Sequence, residues 1–366
     1  MINDLKKMRA ENLITHQSIE KLRQFPIIVL WGTANAARYA FDYLTTKGLN
    51  IDYVTDSFFH QKGEMWNGLP LINKEDVFSF GASAIVVIGC SYAYGVDKLL
   101  EAESINYVAF DTNLLGTDVF SERSHYVSAK EELLRSFDKI EYVYRSLQDE
   151  KSKETLYNIL SYRITLDRAL LAPIYDSNTY WGNDVIQSLA GDTVIDCGAY
   201  NGDTMEHFFQ RGCSCNTYIA LEPSPMYFEA LKSCIKKNNY KNVLPFPVAA
   251  WDKKGYVSFS QTNGGASHVS GAGELMVQTD TIDSISAGRR VDCIKMDIEG
   301  AEIPALNGAV HSIRTYRPVV TASIYHQLSD LWEIPLLLKK MCPAYQLFIR
   351  HQSPWGDDTV VYAVCP

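Results

Sequence analysis

The chain has 366 residues, of which 46% are hydrophobic and 21% are charged, and these proportions exclude a disordered, collagen-like or fibrous protein. At roughly 150 residues per domain, this length predicts two or three domains. The 43 acidic residues outnumber the 34 basic ones, and the resulting net charge of −9 argues against a broad surface for nucleic acid or anionic membranes.

The cellular compartment is predicted from the lengths of the apolar segments. No apolar stretch approaches the roughly 20 residues that span a bilayer, and residues 1–23 lack the apolar centre of a signal peptide. We therefore expect a cytoplasmic protein without a membrane span. Of the eight cysteines, Cys90, Cys197 and Cys293 lie in or beside apolar runs, where reduced thiols are expected to pack as core residues.

The first elements predicted along the chain alternate between helix and strand. An amphipathic helix over 5–24 is followed by a buried strand, a glycine turn and a second helix that stops at Gly48. The predicted strands are 27–31, 51–55, 84–88 and 106–110, with a helix over 94–103. This alternation predicts an N-terminal helix within 1–24 and a parallel, Rossmann-like α/β domain within 25–115.

A dinucleotide site in this first domain is weighed against a recognition role. Asp56 stands 24 residues after Gly32, about where a ribose-binding acid would stand. Ala34, however, occupies the position of the second fingerprint glycine and crowds a pyrophosphate. We therefore expect substrate recognition or assembly, with nucleotide binding as the alternative. The segment looks like the Rossmann-like domains attached to enzymes of sugar and polysaccharide modification.

A helical connector is predicted next, over 116–180. Residues 121–171 contain few glycines and carry apolar residues at helical spacing. Their charged residues are expected to form a solvated face.

The second half of the chain carries the chemistry. An apolar strand over 193–197 leads into a turn with Gly198 and Gly202, whose backbone can approach a ligand closely. Glu222 ends the next strand, 24 residues after Gly198, where a carboxylate accepts both hydroxyls of a ribose. This combination predicts a cofactor that contains adenosine.

Carboxylates also follow a later strand, predicted over 291–296. Asp297, Glu299 and Glu302 are hard to explain as core residues, because each would need a partner or water. Glu302 is equally well explained as support for the next helix N-terminus. His326 follows a fifth predicted strand and is expected at the same sheet edge.

Four motifs in residues 150–366 resemble the FkbM family of S-adenosylmethionine-dependent methyltransferases. They are D-x-G-A-x-x-G-x-T at 196–204, L-E-P-S at 221–224, V-A-A at 248–250 and I-K-M-D-I-E-G-A-E at 294–302. The resemblance implies a class I methyltransferase domain over 181–366, an α/β fold with a mixed seven-stranded sheet and an antiparallel last strand. The predicted cofactor-binding residues are Asp196, Gly198, Ala199, Tyr200, Gly202, Thr204, Glu222, Pro223, Ala249, Ala250 and Ser267. Ala249 and Ala250 are small residues that are expected to end a third strand, where they suit the edge of an adenine pocket.

The same resemblance implies a function. We expect O-methylation of a hydroxyl on a sugar, a polysaccharide precursor or a secondary metabolite, with S-adenosyl-L-methionine as cofactor. Asp297 or His326 is the expected general base, and Glu299 the acceptor for a substrate hydroxyl. Alternatively, the carboxylates hold a divalent cation that acidifies the hydroxyl.

The competing prediction is a non-catalytic protein that binds a nucleotide or nucleotide-sugar on a degenerate methyltransferase fold. Under the preferred prediction the partner is a small-molecule or glycan acceptor and not a nucleic acid. The sequence leaves a homo-oligomer open.

Overall fold

The computed structural model describes residues 2–7, 16–33, 35–58, 60–61, 63–89, 96–109, 131–165, 168–178, 180–260, 268–269, 275–353 and 356–366. The chain folds into two compact units. The first comprises residues 1–136, 157–173 and 354–356, and the second comprises 137–156, 174–353 and 357–366. Among the described residues, no helix combines the length and the apolar character that crossing a membrane requires.

The first unit contains a four-stranded parallel sheet of order β2-β1-β5-β6 and a two-stranded antiparallel pair. Its strands are β1 Ile27–Trp31, β2 Tyr53–Thr55, β3 Met65–Trp66, β4 Leu69–Pro70, β5 Ala84–Ile88 and β6 Asn106–Ala109. Its helices are α1 His16–Leu22, α2 Asn35–Thr46, α3 Lys74–Phe80 and α4 Val96–Ala102, with 3-10 helices at Ile2–Lys7, Gly81–Ser83 and Arg168–Leu170.

Both faces of this parallel sheet are buried. Leu30 and Val87 pack into one apolar cluster, whereas Trp31 and Ile88, one position further along each strand, pack into another. Successive side chains of a strand point to opposite faces, so continuous apolar runs suit a sheet covered on both sides.

The predicted elements of the first unit are mostly observed. Strands 27–31 and 84–88 have the predicted bounds, whereas the second strand begins at Tyr53 instead of residue 51. The predicted helix over 5–24 is observed as the 3-10 helix Ile2–Lys7 and as α1, which ends before Pro26, a residue that disfavours helix in the position before it. Ala34, Cys90 and residues 110–130 lie outside the described residues.

Asp56, the predicted ribose acid of the first unit, is engaged by neighbouring groups. Its Oδ2 accepts from the Thr33 hydroxyl at 2.8 Å, and its Oδ1 accepts from the N–H of Phe58 at 2.7 Å. Oδ1 also lies 2.7 Å from Nε2 of His60. These contacts are consistent with the prediction of a recognition role, which remains a prediction.

The second unit is built on a seven-stranded sheet. The strands of this unit are β7 Ala190–Cys197, β8 Ser214–Leu221, β9 Val243–Phe246, β10 Ala249–Ala250, β11 Gly255–Ser260, β12 His268–Val269, β13 Leu275–Asp280, β14 Cys293–Met296, β15 Val319–Ser323, β16 Gln346–His351 and β17 Thr359–Val364. The remaining helices of the chain are α5 Phe137–Ser146, α6 Glu150–Thr165, α7 Asp203–Gln210, α8 Pro225–Asn238, α9 Ile282–Ile285, α10 Glu302–Asn307, α11 Val310–Tyr316 and α12 Asp330–Met341, with a 3-10 helix at Ala172–Ile174.

The large sheet has the order β16-β17-β15-β14-β7-β8-β9. β17, the last strand, is antiparallel to both β15 and β16, and the central strands are parallel. The predicted mixed seven-stranded α/β sheet with an antiparallel last strand is confirmed. Because β15, β14, β7 and β8 are parallel neighbours, the segments that follow them meet at one sheet edge.

Two predicted details of the second unit are corrected. Ala249 and Ala250 do not end a strand of the large sheet but pair with β13 in a separate sheet of order β10-β13-β11-β12. Pro245 lies in β9, at the edge of the sheet, where its lack of a backbone N–H is tolerated. The strand predicted from residue 291 begins at Cys293. Cys197 and Cys293 are buried, as predicted.

Candidate functional site

The glycine turn after β7 is fixed against the segment that follows β14. Gly198 has φ +77°, and a Cβ added there would lie 1.9 Å from the carbonyl oxygen of Asp297. The N–H groups of Gly198 and Ala199 donate to Leu221 O at 3.0 and 2.9 Å. Gly202 has φ +94°, and a Cβ there would meet Cys234. These two positions therefore require glycine.

Glu222 follows β8 beside this turn. Its Oε2 accepts from the N–H of Tyr200 at 2.9 Å, and its Oε1 accepts from the N–H of Ser224 at 2.7 Å. A carboxylate oxygen can accept two hydrogen bonds, so each oxygen retains one acceptor position. Burial raises the pKa of Glu222 to about 7, although the two N–H donors oppose this shift. The carboxylate therefore has two acceptor positions left for a ligand.

A buried ion pair contacts the backbone of the glycine turn. Lys295 on β14 places Nζ 3.0 Å from Oδ1 of Asp196, and the two side chains are only 2% and 0% exposed. Nζ also donates to Gly198 O at 2.8 Å, and the Tyr218 hydroxyl donates to Asp196 at 2.9 Å. Burial lowers the pKa of Lys295, but the charges of Asp196 and Asp297 outweigh burial and raise it.

This placement bears on the predicted role of Asp196. A carboxylate with no exposed surface lies beneath the turn and does not face a ligand directly in this structure. It acts on the turn through Lys295, whose ammonium group it shares with the carbonyl of Gly198.

Asp297 is the centre of a polar cluster at the same sheet edge. The Tyr180 hydroxyl donates to its Oδ2 at 3.0 Å, and the Tyr325 hydroxyl donates to its Oδ1 at 3.3 Å. Burial and the charge of Asp297 raise the pKa of both tyrosines, so both remain neutral donors. Burial also opposes the ionisation of Asp297, but the charges of Lys295 and His326 outweigh it and lower its pKa.

His326 lies among three carboxylates. Its Nε2 is 3.5 Å from Oδ1 of Asp297 and 3.5 Å from Oε2 of Glu299, and its Nδ1 is 3.1 Å from Oε1 of Glu302. Burial lowers the pKa of His326, but these carboxylates outweigh burial and raise it well above its ordinary value. The imidazole is therefore held in its charged form at neutral pH.

Glu299 and Glu302 reach His326 through the turn that follows Asp297. Glu299 and Gly300 have φ +56° and +93°, which reverse the chain after β14. Glu302 begins α10, and its Oε1 accepts from the N–H of Ile298 at 3.0 Å. Glu302 thus supports the chain before α10, as one of the two interpretations predicted, and also contacts His326.

Of the other predicted site residues, some lie in or beside the glycine turn and others lie in different segments. Tyr200 has φ +48°, and its ring centroid lies 4.2 Å from that of Tyr227. Thr204 lies in the first turn of α7, and Pro223 separates Glu222 from Ser224. Ala249 and Ala250 are buried in their separate sheet. Ser267 lies outside the described residues.

Sequence reasoning gave no role to Lys295, Tyr180 or Tyr325. The position of Lys295 could have predicted a buried ion pair, because a lysine inside an apolar strand needs a buried partner. Tyr180 precedes Asp297 by 117 residues, so no spacing along the chain could have joined them. The hydrogen bond from Tyr325 depends on the parallel pairing of β14 with β15.

Comparisons with known proteins give a match to a family model and a similarity of fold. Residues 196–345 match the family model described as the methyltransferase FkbM domain. A solved methyltransferase FkbM from Methylobacillus flagellatus KT shares the fold, with a TM-score of 0.77 and 19% identity over 96% of this chain and 94% of that chain.

A more distant solved structure is Aeropyrum pernix fibrillarin with bound S-adenosyl-L-methionine. Its TM-score is 0.32 and its identity is 14%, over 48% of this chain and 67% of that chain. The comparison with curated proteins gave no match.

Proposed function

We propose that this chain transfers a methyl group from S-adenosylmethionine to a hydroxyl of a sugar, polysaccharide precursor or secondary metabolite, because residues 196–345 match the family model described as the methyltransferase FkbM domain. The observation that carries the proposal is the contact between Gly198 and the carbonyl of Asp297, because it joins a cofactor-type turn directly to a carboxylate cluster.

The cofactor half of the proposal rests on Glu222 and the glycine turn. The two free acceptor positions of Glu222 suit the two ribose hydroxyls, and the positive-φ backbone of Gly198 and Gly202 permits close approach of the cofactor. Ala249 and Ala250 are small enough to border an adenine.

The acceptor half rests on Asp297. The acceptor oxygen forms a bond to the methyl carbon as the carbon–sulfur bond breaks, and the hydroxyl proton leaves to a base. We assign that base to Asp297, since its lowered pKa keeps it ionised while His326 is already protonated. Tyr180 and Tyr325 orient its carboxylate, and His326 holds Glu299 beside it. Alignment and the exclusion of water supply the remaining acceleration.

We expect Glu222→Ala to weaken S-adenosylmethionine binding by roughly 1.5–3 kcal/mol for each charged hydrogen bond lost. Isothermal calorimetry measures this affinity, and circular dichroism checks that the fold is retained. Glu229→Gln, which removes an exposed carboxylate on α8, is the control and should bind normally. Unchanged affinity in Glu222→Ala would contradict the cofactor site.

We also expect binding to weaken as the pH falls below about 7, the pKa of Glu222 in the free protein. Ribose hydroxyls donate to the ionised carboxylate, so a protonated Glu222 must lose its proton when the cofactor binds. Below the pKa of Glu222, the affinity for the cofactor therefore falls by up to about tenfold for each unit of decrease in pH. The measurement is calorimetry between pH 5.5 and 8. Glu222→Gln should lose this dependence, and a wild-type profile flat across that range would contradict the assignment.

The transfer itself is tested with methyl-labelled S-adenosylmethionine and an extract of surface polysaccharide precursors. We expect label in a low-molecular-weight or glycan product. Binding of the cofactor without any transfer would favour the non-catalytic alternative.

A further inference from the structure

Three side chains beside the proposed acceptor site have the arrangement of a metal site. One ligand atom each from Asp297, Glu302 and His326 lies within 4.8 Å of the other two. Asp297 and Glu302 follow β14, and His326 follows the neighbouring strand β15. Two carboxylates and one imidazole form a donor set that suits divalent first-row metals.

Two of these side chains are buried with unpaired polar atoms. Glu302 is 1% exposed, and its Oε2 has no hydrogen-bond partner among the described residues. The His326 side chain is 7% exposed, and neither ring nitrogen makes a well-formed hydrogen bond within the described part of the chain. Buried polar atoms without partners destabilise a fold, and coordination to a cation would satisfy them.

The charge around these atoms favours a cation. Asp297, Glu299 and Glu302 bring three carboxylates to the single imidazole of His326. The charge of Lys295 also acts on Asp297, but Lys295 is paired with Asp196 at 3.0 Å. Negative charge therefore exceeds positive charge within the cluster.

Of the three candidate ligands, only Asp297 is partly exposed, so the cluster is accessible on the side of Asp297. The Asp297 side chain is 27% exposed, whereas the other two are buried. The Tyr180 and Tyr325 hydroxyls orient Asp297, as hydrogen bonds to metal-binding carboxylates commonly do. Three protein ligands with an accessible side are typical of sites that bind a further ligand.

We propose that Asp297, Glu302 and His326 bind a divalent first-row metal ion, with Mn²⁺ as the best fit because carboxylates dominate the cluster. The role of the ion rests on the proposed function, since the accessible side of the site would receive an oxygen of the acceptor. The binding itself rests only on these three side chains. The ion takes the place of the proton that His326 carries in the metal-free protein, because only a neutral imidazole coordinates a metal.

The test is titration of the full chain, freed of metal with EDTA and dialysed, with MnCl₂ while free Mn²⁺ is followed by electron paramagnetic resonance. We expect one saturable site per chain. Glu302→Gln and Asp297→Asn should each weaken binding by at least about 10–100-fold. Asp192→Asn, the same substitution at an exposed position near the amino end of β7, is the control and should leave the affinity unchanged.

Failure of this proposal is separable from failure of the proposed function. Absence of saturable binding of both Mn²⁺ and Zn²⁺, or binding that both variants leave unchanged, overturns the metal site. S-adenosylmethionine binding, measured by calorimetry on the same samples, tests the proposed function independently. If Glu302→Gln does not fold, the partly exposed Asp297→Asn decides the result.

Discussion

Replacing Asp297 with asparagine is expected to lower the turnover number for methyl transfer by about 10²–10⁴-fold, the usual contribution of a positioned general base. Asparagine preserves the shape of the side chain and can still accept from the Tyr180 hydroxyl, but it cannot take the acceptor proton. The dissociation constant of S-adenosylmethionine should not change, because Asp297 contributes to the cofactor turn through its backbone carbonyl. Labelled-methyl transfer under saturating cofactor measures the effect.

The matched control is Asp192→Asn, the same substitution at an exposed position near the amino end of β7, away from the edge that carries the site. It should have wild-type turnover. Tyr180→Phe removes one donor to Asp297 and should give a smaller loss than Asp297→Asn. Turnover within the wild-type range in Asp297→Asn would eliminate this residue as the base.

Replacing Lys295 with methionine should destabilise the second unit by about 3–5 kcal/mol, because it leaves Asp196 charged and buried without its partner. The free energy of unfolding is measured by urea denaturation followed by circular dichroism. Cofactor affinity should fall as well, since the Lys295 ammonium also holds the carbonyl of Gly198.

A double variant separates the effect of the unpaired buried charge on stability from the effect of the changed packing at position 295. Asp196→Asn combined with Lys295→Met removes both charges while the Tyr218 hydroxyl retains an acceptor. We expect this protein to be more stable than Lys295→Met alone, since no uncompensated charge remains. A loss below about 1 kcal/mol in Lys295→Met, the range of an exposed ion pair, would contradict the buried pair.

The sequence predicts the main sheet and the strand-end positions well, because both depend on local patterns. An apolar run such as 193–197 identifies a buried strand, and a following glycine or carboxylate marks its carboxyl end. Glu222, Asp297 and His326 are identified in this way, and the family resemblance implies the seven strands and the antiparallel last strand. Contact between Asp297 and His326 then follows from the pairing of β14 with β15.

What the sequence did not reveal depends on contacts between distant segments. The depth of Asp196 is set by β14 and β8, which carry Lys295 and Tyr218 to it. The alanines at 249 and 250 look like the end of a sheet strand, but their pairing with β13 is a property of the folded chain. The charge states of side chains cannot be predicted from the sequence either, because the raised pKa of His326 depends on three carboxylates that the fold brings together.

Under the proposed function, the contact between Gly198 and the carbonyl of Asp297 limits how the chain could change its acceptor. Because the two backbones touch, no side chain at position 198 can act as an adjustable spacer between cofactor and acceptor carboxylate. Under the proposed function, the distance between the glycine turn and the acceptor carboxylate is thus set by main-chain geometry. A change of acceptor would then require changes in the side chains that contact Asp297, such as Tyr180 and Tyr325, and not at position 198.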